Sequence, residues 1–171
     1  AQGASILVYL GHGNGWPSRY RDALYPPTQN GFGLNAVAGG NDYDHQYFGE
    51  ASVEDLNLAP NAVVLLHHLC YASGNTEPGL AEGTVSQAVQ RVDNYAAGFL
   101  RAGARAVVAE GHLGPAYYMR ALLRTELTIE QIWNRSPSAH GNTFAVASER
   151  SPGYTARMDP DRASGGYFRS L

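Results

Sequence analysis

The sequence predicts an α/β fold, a three-layer α/β/α sandwich around a mostly parallel sheet. Two observations carry this expectation. Three short runs, "SILVYL" at 5–10, "AVVLL" at 62–66 and "ARAVVA" at 104–109, are apolar apart from Ser5 and Arg105 and do not alternate, as expected of strands covered on both faces. Between the second and third run lies a strongly amphipathic segment, and strand, helix, strand implies a right-handed parallel crossover.

The elements follow in order. The first run stops at Gly11, and the second follows the turn signal Ala59-Pro60-Asn61. Thr84 to Gln87, "TVSQ", is a capping box in which hydroxyl and amide satisfy each other's free backbone N–H groups. Val85, Val89, Val92, Ala96, Phe99 and Leu100 follow at helical spacing, and Gly103 is placed to end the helix before the third run. A further helix is expected from near Pro115, carrying Tyr118, Leu122 and Leu123, and a short one after the capping box "TIEQ" at Thr128 to Gln131. "TFAVAS" at 143–148 reads as a strand and the tail "GGYFRSL" as an edge strand.

Residues 13–60 and 71–83, rich in Gly, Asn, Pro and Tyr, lack this periodicity. Long loops in compact domains are usually functional or disordered, and the aromatics favour an ordered lid or wall, with Trp16, Tyr20 and Tyr25 pinning the first one down. The 171 residues make one domain with a long inserted loop at about 13–60.

Composition narrows the function classes. Net charge is −3 with no basic run, which argues against nucleic acid and anionic lipid as partners. The apolar runs are short of the roughly 20 residues that span a bilayer, so the chain reads as soluble and without a membrane partner. All 12 basic residues are arginine, which removes lysine chemistry, and one cysteine supplies neither an intrachain disulfide nor a multi-cysteine metal site. The compartment stays open.

In a parallel sheet, ligands bind beyond the carboxyl ends of the strands. The first run is followed by Gly11-His12-Gly13, the second by His67-His68-Leu69-Cys70 and the third by Glu110-Gly111-His112. Cysteine peptidases need a thiol, a nearby imidazole for its proton, and backbone N–H groups for the oxyanion. His12 and Cys70 on neighbouring strand ends make such a dyad. Gly13 allows close approach to a substrate carbonyl, and Ser73-Gly74 a tight loop under the nucleophile.

"VYLGHGNG" resembles the strand-then-His-Gly block of caspase-like (clan CD) cysteine peptidases, and "VVLLHHLCYASG" their strand-then-Cys block with Ser-Gly after it. Separases and legumains share these two blocks, and "NYAAGFLRAGARAVVAEGH" looks like the helix and strand after the nucleophile in the CHAT branch. The resemblance covers roughly half the chain. It implies a caspase-like fold, His12 as catalytic histidine, Cys70 as nucleophile, and the amides of Gly13 and Cys70 as oxyanion donors. It implies a peptide or protein substrate and requires no cofactor.

The departures are specific. The substrate-pocket position two before the nucleophile, usually Gln, Glu or Asp, is His68, and 58 positions separate His12 from Cys70, more than the family pattern leads one to expect. The family's sheet begins with two strands before the histidine strand, so this chain reads as lacking them, with a preceding segment or second chain completing the sheet. Glu110 joins the pocket as a negative charge for a basic substrate residue, with a helix cap or an arginine partner as the alternative.

Other readings compete. A lone cysteine at a strand end is more often packing than nucleophile, and only its pairing with the histidine block favours catalysis. His67 and His68 point to opposite faces of a strand, and His68 shares the parity of Cys70. A metal-dependent hydrolase would use His12, one of His67 or His68, and His112, with Glu110 activating water. Asp42, Asp44 and His45 suggest a cation loop but lack the terminal Glu and central Gly of a Ca²⁺ loop. A non-catalytic caspase-like recognition domain keeps the fold and drops the chemistry.

Overall fold

The computed structural model describes residues 1–41 and 43–171. Along the chain, β1 (Ile6–Leu10) leads into a hairpin of β2 (Phe32–Asn35) and β3 (His45–Phe48), then α1 (Glu50–Val53) with a 3₁₀ turn at Glu54–Leu56. The core elements β4 (Ala62–His67), α2 (Val85–Arg101) and β5 (Ala104–Glu110) follow. They precede α3 (Ala116–Arg124), α4 (Ile129–Asn134), β6 (Phe144–Ala147), β7 (Thr155–Met158) and β8 (Arg169–Ser170).

The three apolar runs become the three longest strands, and the fold is α/β. β1, β4 and β5 lie side by side and parallel, with β4 in the middle. Both faces of β4 and β5 are covered, which is why their sequences do not alternate. Val64, Leu66, Val107 and Ala109 pack toward Tyr95 and Phe99 of α2 and Val53 of α1. Leu65 and Val108 pack toward Tyr118, Ile132 and Trp133 of α3 and α4. Fully burying one such aliphatic side chain is worth roughly 1.5–3 kcal/mol, so the sheet centre holds both layers together.

Both capping boxes are present. Gln87 N donates to Thr84 Oγ1 at 3.2 Å while Thr84 N donates to Gln87 Oε1 at 2.9 Å, and Thr128 and Gln131 repeat the pattern. Gly103, at φ +111°, turns the chain from α2 into β5.

The sheet is mixed rather than mostly parallel throughout, in the order β1-β4-β5-β8-β7-β6, and the β8, β7, β6 half is antiparallel. The tail is not an edge strand. β8 is inserted between β5 and β7, because the buried Arg169 bonds to Asp159 and to the Trp133 carbonyl and stacks 3.9 Å over the Trp133 ring. β6 and β1 are the outermost strands instead. The outer edge of β1 has no ladder partner among the described residues, and its Val8 and Leu10 are exposed.

The long segment after β1 is ordered by α2. Tyr95 donates to Gly31 O at 2.5 Å, Asn94 to Trp16 O at 2.9 Å and Arg91 to Pro17 O at 2.8 Å. Tyr25, expected to pin it, is exposed, whereas Tyr20, also exposed, ties it to the 71–83 loop through Glu77. No helix among the described residues is long and apolar enough to cross a membrane.

Candidate active site

β1 and β4 end level, Leu10 opposite His67, so the residues that follow leave the sheet from adjacent points. Beyond β1, Gly33 N donates to His12 O at 2.9 Å, and Tyr9 Oη donates to Gly33 O at 2.6 Å. The β2–β3 hairpin thus packs on the histidine, and the His12 and His45 rings lie 4.1 Å apart. Gly13 is seated against the loop that carries Cys70. A Cβ there would lie 2.8 Å from the Cys70 carbonyl oxygen and closer still to Tyr95 Oη, so only glycine admits the approach.

Beyond β4 the chain breaks its alternation at once. His68 (φ +62°) and Tyr71 (φ +72°) both adopt left-handed backbone. For residues of this size that costs of order 1–3 kcal/mol each, strain that clusters at functional sites. The result leaves Leu69 and Tyr71 buried while Cys70, between them, is partly exposed.

His12, Gly13 and Cys70 line one cleft of about 420 Å³, with Asn14, Tyr20, Tyr47, Glu77 and Pro78. Burial, and then the nearby Glu77, push the Cys70 thiol above its ordinary range, against the pull of its own backbone amide. Its resting form is therefore a thiol rather than a thiolate, and a nucleophilic role for it would require a base. Tyr47 is likewise raised, by burial first and then by Cys70. The Gly13 and Cys70 amides donate to no backbone carbonyl among the described residues.

Glu77 is a wall residue the sequence reading missed. Tyr20 Oη donates to its Oε2 at 2.7 Å and Tyr71 Oη to its Oε1 at 2.9 Å. The available signal was position, since Glu77 and Glu82 are the only carboxyl groups in the 71–83 loop after Cys70.

The other expected site residues lie elsewhere. His68 is exposed and outside the cleft, because its left-handed backbone ends the parity argument that linked it to Cys70. His67 is buried with Nδ1–H donating to Leu113 O at 2.5 Å, and burial lowers its pKa. Glu110 is also buried, away from the cleft. It accepts from Tyr118 Oη at 2.5 Å and Ser138 Oγ at 2.9 Å, with Arg169 Nε at 3.6 Å, the arginine-partner alternative. Burial raises its pKa, although these partners pull it down.

The ligand set of a metal hydrolase does not converge. His112 stacks on Phe168 at 4.1 Å, and no group of three or more His, Cys, Asp or Glu suited to a metal ion occurs among the described residues. Asp42 of the expected cation loop lies outside the described residues. A second cavity of about 240 Å³, flanked by Val92, Leu100, Ile129 and Tyr154, is mainly apolar and has no histidine or cysteine in its wall. No family model matches the chain, and no curated protein and no solved structure shows a significant match to it.

Proposed function

We propose that the chain is a cysteine endopeptidase of caspase-like type that works through a His12–Cys70 dyad. The observation that carries this reading is that His12 and Cys70, 58 positions apart in sequence, line the same solvent-reached cleft. Support for the caspase-like fold comes from the parallel β1-β4-β5 core with both residues just past its carboxyl ends.

The chemistry follows from the protonated thiol. As Cys70 Sγ attacks the peptide carbonyl carbon, His12 takes the thiol proton, and the oxyanion is held by the amides of Gly13 and Cys70. Collapse breaks the C–N bond, His12 returns the proton to the leaving amine, and a thioester remains. Water, deprotonated by His12, then releases the acid and restores the thiol. A further strand, from a preceding segment or a second chain, would add at the open edge of β1.

Alkylation by iodoacetamide, followed by intact mass, tests the dyad. Cys70 is expected to label rapidly at neutral pH, and His12→Ala to slow the labelling by about tenfold or more. Turnover of a peptide library is expected to vanish in Cys70→Ala. Equally slow labelling in both proteins, with no turnover in wild type, would instead leave a non-catalytic recognition domain.

A further inference from the structure

We propose that Glu77 seats a basic side chain of the substrate, arginine or lysine, in the cleft beside Cys70, and that until it is occupied the same carboxylate restrains the nucleophile. The inference rests on Cys70 being the nucleophile, as proposed above.

Three observations assign this role. Among the described residues, Glu77 is the one carboxyl group lining the cleft. Its two oxygens are oriented by Tyr20 and Tyr71, one hydroxyl each, which fix its direction without neutralising it. Among the described residues no arginine forms an ion pair with it. Arg91, the guanidinium near Tyr71, donates instead to Pro17 O and Gly74 O, and Arg19 lies 5.8 Å from the Tyr20 ring. A carboxylate with two spare lone pairs and no cation is a receptor for one.

The remaining walls suit the same guest. Tyr20 and Tyr47 present aromatic rings, whose faces attract cations and guanidinium planes in particular. A cleft of about 420 Å³ admits a long side chain. An acidic substrate residue there would meet like charge.

The second half follows from what surrounds the sulfur. Cys70 is faced by His12 from the end of β1, Tyr47 from β3, Tyr95 from α2 and Glu77 from its own loop. Burial keeps both tyrosines protonated. Glu77 is thus the group whose negative field opposes a thiolate. A cation on Glu77 offsets that field, so loss of the thiol proton to His12 becomes easier when the right substrate is bound.

The test uses three peptidyl acyloxymethyl ketones that differ only in the residue beside the warhead, arginine, norleucine or aspartate, together with iodoacetamide as a small neutral probe. Second-order rates of Cys70 modification are read by intact mass. Wild type is expected to react about 10- to 100-fold faster with the arginine reagent than with the norleucine one, and slowest with aspartate. Benzamidine is expected to slow the arginine reagent. Glu77→Gln is expected to lose most of the arginine preference, while its iodoacetamide rate rises about two- to fivefold.

That opposite movement is what a merely structural Glu77 would not produce. Because the preference is read first on wild-type protein, misfolding of the variant does not blunt the test. No arginine preference in wild type, or a preference unchanged in Glu77→Gln, overturns the cation seat. If iodoacetamide still labels Cys70 in a His12-dependent way, the peptidase reading survives that result. Absence of His12-dependent labelling overturns the peptidase reading and the seat with it.

Discussion

Replacing Gly13 by alanine probes the contact that seats the arm after β1, with His12 on it, against the Cys70 loop. The added methyl would lie 2.8 Å from the Cys70 carbonyl oxygen and 3.0 Å from Leu69 Cβ, and would press on Tyr95 Oη. None of these is the free end of a flexible side chain, since Leu69 and Tyr95 are buried. Overpacking of this kind costs about 1–3 kcal/mol. Displacing the Tyr95 hydroxyl from its bond to Gly31 O adds about 0.5–1.5 kcal/mol. The expected loss is about 2–4 kcal/mol in urea unfolding, or a fall in Tm of roughly 5–15 °C for a chain of this size. Because relief comes by swinging the 11–14 arm away from Cys70, native-state alkylation of Cys70 should slow as well. Gly114→Ala is the control, with nothing within 4 Å of its added methyl. A Gly13→Ala protein within about 0.5 kcal/mol of wild type, with unchanged alkylation, would refute the reasoning, because the arm would not be seated where the shared cleft requires.

Further expectations concern the scaffold. Thr84→Ala removes a complete capping box from α2 and should cost about 1 kcal/mol with an unchanged denaturant slope. Arg169→Met leaves Asp159 and Glu110 buried without their cation and should cost about 3–5 kcal/mol, with loss of amide protection in β8 before β4. The Glu110 carboxyl, raised by burial, binds its proton in the native state before the unfolded state does. As pH falls from neutral toward 4.5, wild type should therefore gain stability relative to Glu110→Gln, measured by urea titration across that range. A difference that is flat with pH, or that falls, would contradict a raised native pKa.

What the sequence determined by itself is local. Apolar runs specified β1, β4 and β5; for β4 and β5 the reason is that a strand buried on two faces has no polar side to show, whereas β1 carries the same pattern with Val8 and Leu10 exposed. Thr84-Gln87 and Thr128-Gln131 located two helix starts, since a capping box is complete within four residues. Gly103 marked the turn between α2 and β5 for the same reason. The tail defeated sequence reading. β8 contributes two residues to the sheet, and its place between β5 and β7 depends on where Arg169 finds Asp159 and Trp133.

The site divides along the same line. That His12 and Cys70 would share a cleft was legible because their strands announce themselves and strand ends converge. His68 lies outside the cleft because strand alternation does not extend past the strand into the left-handed turn, which no periodicity signals. Glu77 and Tyr20, 57 positions apart, meet only because α2 pulls the long segment over the strand ends through Tyr95, Asn94 and Arg91. Periodicity and caps are short-range and act wherever the residues occur, whereas the walls of a cleft are set by contacts between distant segments, which exist only once the chain has folded.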